Sequence, residues 1–309
     1  MDTPLSTRNI LVTGATGKQG GSAIKALLAN PPPFPFHILA LTRNSTSKTA
    51  QTLAANPKIT VIEGDIHDAG AIFSKAGGVG AVWGVFLVTI PSMKKDVEEQ
   101  EMKQGKDLID AAVAHDVRHF VYTSVDRGGN EKSDYNATDV PHFVSKYNVE
   151  KHLYDKVRGT KMTYTVLRPT CFMDNLTPDF PGRVFATMWA KMGDKGLQFV
   201  ATKDIGMFAA LAFSNHESDD YKNKGISLAG DTLTQSQANE ICWRALGRPM
   251  IRSYDFMGTL LQWMIPEMGI MFRWFVDHGY GADEIQCRRL NKDMHNFESW
   301  LLEESKFKR

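Results

Sequence analysis

The stretch VTGATGKQGGS, Val12 to Ser22, governs how the rest of the chain reads. It follows a short β-branched run, Asn9–Thr13, and precedes a segment, Gly20–Leu28, with helical periodicity. Gly14, Gly17 and Gly20 then form a GxxGxxG loop between a first strand and a first helix. In that context each glycine has a separate role. Gly14 permits the tight turn, Gly17 lets backbone approach a pyrophosphate, and Gly20 allows close packing of helix on sheet. The helix N-terminus offers its unpaired N–H groups to the phosphates.

Beyond the loop, strand-like and helix-like segments alternate. His37–Thr42, Ile59–Glu63, Ala81–Thr89, Phe120–Ser124 and Met162–Arg168 read as buried strands. Lys94–His115 and Phe143–Val157 read as helices between them. Continuous apolar strands separated by helices imply a parallel sheet covered on both faces. After Pro169 the pattern changes to aromatic- and Met-rich sequence with two short strand candidates, Gln198–Ala201 and Ile226–Ala229. A helix is expected after Thr234, with Gln237 in the capping-box position. The expected fold is α/β: a Rossmann-type doubly wound parallel sheet over residues 1–170, with strands around 198–206 and 226–230 added. A smaller, partly interwoven α+β lobe is expected over 171–309.

Composition narrows the function classes. The 309 residues carry 36 Lys+Arg against 35 Asp+Glu, a formal net charge of +1. That balance removes the electrostatic case for nucleic acid or an acidic membrane surface. A protein partner stays open, and the chain is expected to be a monomer or homodimer. Three widely spaced cysteines make neither a disulfide framework nor a zinc site and suit a reducing compartment. The N-terminus lacks signal-peptide character and the most apolar windows are too short or too interrupted to span a bilayer, so a cytoplasmic location is expected. His115 and His119 are four apart, but Asp116–Arg118 between them reads as a connection without a third ligand, so no metal is expected.

The end of the second strand selects the cofactor. An acid there would bind the adenosine ribose 2′-hydroxyl and repel a 2′-phosphate. Here the sequence runs Thr42-Arg43-Asn44-Ser45, with Ser47 and Lys48 next and no acid until Glu63. Arg43 can fork onto a phosphate and the hydroxyls can donate to it, which favours NADPH/NADP over NAD. Asp65 and Ile66 are placed to meet the adenine, and Thr89, Ile90 and Pro91 to lie beside the inner ribose and nicotinamide.

These features together resemble the NmrA-like family, atypical members of the short-chain dehydrogenase/reductase superfamily. The matching segments are GATGKQGGS, TRN, EGDIHD, EQEMKQGKDLIDAA, HFVYTSVD, HFVSKYNVEKHL, TVLRPTCFMDN and KDIG, in order over about the first two thirds of the chain. The resemblance implies NADP(H) binding, in a reductase or in a redox-sensing regulator of a transcription factor. It implies that Gly14, Ala15, Thr16, Gly17, Lys18 and Gln19 hold the pyrophosphate and Arg43 the 2′-phosphate. Lys146 would bind the ribose hydroxyls, and Phe172, Met173, Asp174 and Asn175 would close over the nicotinamide end.

The wider superfamily uses Tyr-x-x-x-Lys with an upstream Ser, the Tyr delivering the proton and the Ser polarising a carbonyl. Ser124 and Lys146 occupy two of those positions, but the residue four before Lys146 is His142. Three readings stay open. His142 donates the proton, since imidazole titrates near pH ~6.5; Tyr135 or Tyr147 supplies it; or no donor exists and the site only binds cofactor. Tyr147 lies about 100° round the helix from Lys146. Lys94, Lys95 and Glu98–Glu101 read as a solvated helix face. Trp263, Met264, Met268, Met271, Phe272, Trp274 and Phe275 read as lobe packing, or as the wall of a pocket for a substrate with an apolar portion. The reading reached is an NADPH-dependent reductase of a small metabolite acting on C=O, C=N or activated C=C, the alternative being a non-catalytic NADP(H) sensor that binds a protein.

Overall fold

The computed structural model describes residues 6–89, 97–256, 258 and 265–307. The glycine loop joins β1, Arg8–Val12, to α1, Lys18–Ala29. Five more strands follow: β2 Phe36–Thr42, β3 Ile59–Glu63, β4 Gly84–Leu87, β5 His119–Thr123 and β6 Thr163–Pro169. The intervening helices are α2 Lys48–Ala54, α3 Ala69–Lys75, α4 Val97–Ala114, the short α5 Asn130–Ser133, and α6 Pro141–Val157. All six strands pair in parallel, β2 and β4 flanking β1, as continuous apolar strands demand. The strand order 3-2-1-4-5-6 is that of a doubly wound nucleotide fold, whose ligands sit outside the carboxyl ends of the strands.

Two sequence expectations are corrected here. The fourth strand is shorter than Ala81–Thr89, pairing only over Gly84–Leu87. The two later segments also part company. Lys224–Leu228, β9, joins the large sheet beside β6, whereas Leu197–Val200, β8, belongs to a second sheet between Cys171–Phe172, β7, and Asp231–Leu233, β10. Residues from Thr202 onward are not strand but helix, α8, Thr202–Ser214.

The chain forms two compact units. The first comprises Met1–Ser124, Ser145–Leu167 and Ile205–Ile226. One of its apolar clusters includes Leu11, Leu41, Val85, Leu87, Phe120, Tyr122 and Val166 from the sheet, with Leu108, Ile109 and Ala112 from α4. Its helix α8 crosses α1 so closely that a Cβ on Gly206 would lie 2.4 Å from the Ser22 backbone. The second unit comprises Val125–Val144, Arg168–Asp204 and Ser227–Arg309. It holds the three-stranded sheet and helices α7 Phe180–Ala190, α9 Gln235–Leu246, α10 Pro266–Asp277, α11 Glu284–Leu290 and α12 Phe297–Glu303. Phe272, Trp274 and Phe275 are buried in its core, and Trp263 and Met264 lie outside the described residues. Thr234 and Gln237 close the capping box that starts α9. The three cysteines are free and buried. Among the described residues no helix is long and apolar enough to cross a membrane.

Candidate functional site

The glycine loop is shaped by positions that exclude side chains. Gly14 has φ +58°, a left-handed conformation that side chains resist. A Cβ on Gly20 would lie 2.3 Å from the Gly14 carbonyl oxygen and 2.5 Å from that of Thr13. Gly17 begins α1 with no side-chain cap, and no acid occupies the first turn to offset the positive end of the helix dipole. Ala15 is buried; Thr16, Gly17 and Lys18 are exposed. Hydrogen bonds brace the neighbouring strand ends. Val88 N donates to Thr13 Oγ1 at 2.8 Å, and Thr123 Oγ1 donates to Gln19 Oε1 at 2.6 Å. The loop therefore bars a side chain at Gly20 and leaves the start of α1 without a side-chain cap, the two properties an extended anion would need of it.

Beside the loop, the end of β2 carries Arg43, which is exposed and makes no hydrogen bond or ion pair among the described residues. Asn44 Oδ1 accepts from the amide and hydroxyl of Thr46. Ser47 is committed to structure, capping α2 by accepting from Ala50 N and donating to the Asn44 carbonyl. The Ser45 amide and hydroxyl both donate to Glu63. Lys48 is exposed. Asp65 is exposed and turns its Oδ1 onto His67 N at 3.0 Å, whereas Ile66 is buried in the core.

Further along the same strand edge, Lys146 on α6 is the centre of a buried charge cluster. Its Nζ lies 2.8 Å from Glu101 Oε1 and donates to Thr89 Oγ1 at 3.1 Å, while the Thr89 hydroxyl donates to the same Glu101 oxygen at 2.6 Å. Glu101 is 0% exposed, which corrects the reading of Glu98–Glu101 as a solvated face. The signal was present: Glu101 shares the i, i+3, i+4, i+7 stripe of Gln104, Gly105, Leu108 and Ala112, all buried. A buried carboxylate needs a partner, and Lys146 is that partner. Ile90 and Pro91 lie outside the described residues.

Ser124 is buried and its hydroxyl donates to Glu150, which also accepts from the Tyr154 hydroxyl at 3.2 Å. Its hydroxyl proton is therefore directed at a carboxylate of α6. In the second unit, His142 Nδ1 lies 2.5 Å from Glu267 Oε1. The His142 hydrogen bond holds the Glu267 carboxyl below its ordinary range against the opposing effect of burial. Glu267, 125 residues away, had no local sequence signal. The expected closing segment lies in the same unit. Met173 is fully buried, Phe172 partly exposed and Asn175 exposed. Asp174 Oδ2 accepts the Thr202 amide at 2.8 Å.

The model of the NmrA-like family matches residues 6–304. An NmrA-like family domain-containing oxidoreductase, malD of Malbranchea aurantiaca, is 30% identical over 234 residues, 71% of this chain and 62% of that protein. The nitrogen metabolite repression protein nmr of Neurospora crassa is 25% identical over 277 residues, 80% of this chain and 54% of that protein. The matches thus span 54% to 62% of these two relatives' own length. Among solved structures, the Citrobacter sp. triphenylmethane reductase complexed with NADP(H) superposes with a TM-score of 0.71 at 18% identity, covering 94% of this chain and 98% of that one. That likeness is one of fold.

Proposed function

Because the chain belongs to the NmrA-like family, we propose that it is an NADPH-dependent reductase of a small metabolite. The observation that carries the reading is the Lys146 cluster. A lysine held by a buried carboxylate at the strand carboxyl edge of a doubly wound sheet, in the unit that carries an uncapped glycine-loop helix, matches the needs of a dinucleotide. The oxidoreductase name of the malD relative and the NADP(H) in the Citrobacter structure support it.

In this reading the N–H groups from Gly14 to Gly20 hold the pyrophosphate, Arg43 faces the 2′-phosphate and Lys146 donates to ribose hydroxyls. NADPH, when bound, supplies the hydride for a C=O, C=N or activated C=C. The protein must supply a proton to the reduced atom. His142 is suited to that step, because Glu267 accepts at Nδ1 and, among the described residues, Nε2 makes no hydrogen bond. The ring would give up an Nε2 proton and keep the Nδ1 proton on Glu267, so the anion left by hydride transfer is protonated, the negative charge stays on Glu267, and the ring need not reorient. Ser124, its proton committed to Glu150, does not polarise the acceptor in this arrangement.

The test is acceptor-dependent NADPH oxidation across aldehydes, ketones, imines and quinones, with a His142→Ala variant alongside. Turnover that falls about a hundredfold or more in the variant is the expected result. Tight NADPH binding without turnover of any acceptor would move the chain to the second reading, a dinucleotide sensor with a protein partner, which the missing tyrosine favours.

A further inference from the structure

Strand β3 ends on Glu63, and the β2–β3 ladder sets Glu63 opposite Thr42, the residue before Arg43. In sequence this acid stands 20 residues after Arg43, yet the register returns it to the loop that Arg43 opens. Its Oε2 accepts the Ser45 amide at 2.9 Å and the Ser45 hydroxyl as well. Lys75 donates to the Glu63 carbonyl at 2.7 Å and so fixes the strand end. The Ser45 hydrogen bonds hold the Glu63 carboxyl below its usual range, which keeps it ionised at neutral pH. The loop therefore carries a guanidinium with no hydrogen bond or ion pair among the described residues, and both Ser45 donors are taken by an anion at the end of the neighbouring strand.

A ribose 2′-hydroxyl and a ribose 2′-phosphate ask opposite things of such a loop. The hydroxyl donates and is satisfied by a carboxylate; the phosphate needs cations and donors and is repelled by one. Taking the dinucleotide reading above as its premise, we infer that Glu63 is a specificity-determining residue that opposes the 2′-phosphate, so that the NADP(H) preference is a balance between Arg43 and Glu63. To bind the phosphate, the loop must either release Ser45 from Glu63 or use Arg43 with Ser45 withheld. The repulsion acts through solvent, so it is modest and salt-sensitive, about three- to tenfold in affinity at low ionic strength.

The test is direct titration of NADPH and NADH into wild type, Glu63→Gln and Glu63→Lys, at low and high salt. NADPH is expected to bind about three- to tenfold more tightly to Glu63→Gln and more tightly still to Glu63→Lys, the gain fading at high salt. NADH is expected to change by less than about twofold in Glu63→Gln, whose amide oxygen still accepts from the 2′-hydroxyl, and to weaken in Glu63→Lys, which has no acceptor. An unchanged NADPH-to-NADH ratio in both variants, in protein that still binds NADPH, overturns the role of Glu63 and leaves the cofactor reading in place. Absence of saturable binding of either dinucleotide to wild type overturns the cofactor reading and the inference with it.

Discussion

Lys146 and Glu101 illustrate why a single residue can be read for function only together with what it touches. The lysine was legible, standing four residues after His142 in a helix whose neighbours resemble a known family. The glutamate was legible only from its spacing along the helix, because a run of Glu98, Glu99 and Glu101 beside two lysines has the composition of a solvated face. Position in the apolar stripe of α4, rather than composition, decides that Glu101 is buried. Removing one partner of a buried pair strands the other. Lys146→Met is therefore expected to destabilise the fold by about 3 kcal/mol, whereas the Glu101→Gln/Lys146→Met double variant recovers most of that loss, read as urea midpoints. Arg43 behaves differently. It is exposed and makes no hydrogen bond or ion pair among the described residues, so Arg43→Ala should leave stability within about 0.5 kcal/mol of wild type. It should weaken NADPH binding about tenfold or more while barely changing NADH, as measured by titration.

At the scale of elements, the glycine loop and the strands were legible because their constraints are local. A parallel strand buried on both faces must be apolar along its length, and a loop that bars a Cβ must carry glycine. Gly20→Ala tests the second point. Its methyl would meet two backbone carbonyls, so a loss of about 2 kcal/mol or more is expected, together with loss of NADPH binding. The start of α9 was legible for the same reason, since Thr234 and Gln237 complete each other's hydrogen bonds. Thr234→Ala should cost about 1 kcal/mol in chemical denaturation and Thr234→Ser should restore most of it. Less legible was the destination of an element. Leu197–Val200 and Lys224–Leu228 both read as short strands, yet they belong to different sheets. Nothing in four or five residues encodes which edge a strand will join.

For the molecule as a whole, long-range pairings carry what the local pattern could not. His142 and Glu267 meet across 125 residues, and the two compact units each draw on several separated stretches of chain. Burial also sets how the fold responds to acid. His119 is enclosed in the first unit, where Thr165 Oγ1 lies 3.3 Å from its Nε2 and its Nδ1 lies 2.9 Å from Thr163 Oγ1. Burial, aided by the nearby His216, pushes its pKa down to about 3. Below about pH 6.5 the unfolded chain takes up a proton that the folded one refuses, so stability falls with falling pH by about 1.4 kcal/mol per unit from this group, down to about pH 3. His119→Gln should flatten the acid limb of the urea midpoint curve by one proton.

A dinucleotide held by the glycine loop, Arg43 and Lys146 is central to every role proposed for this chain. Titrating NADPH into wild type and into the Glu101→Gln/Lys146→Met double variant tests it most directly, since that variant retains a neutral buried pair and should stay folded. Saturable binding to wild type that weakens about tenfold or more in the double variant is the predicted result. Equal affinity in the two folded proteins, or no saturable binding to wild type, would contradict it.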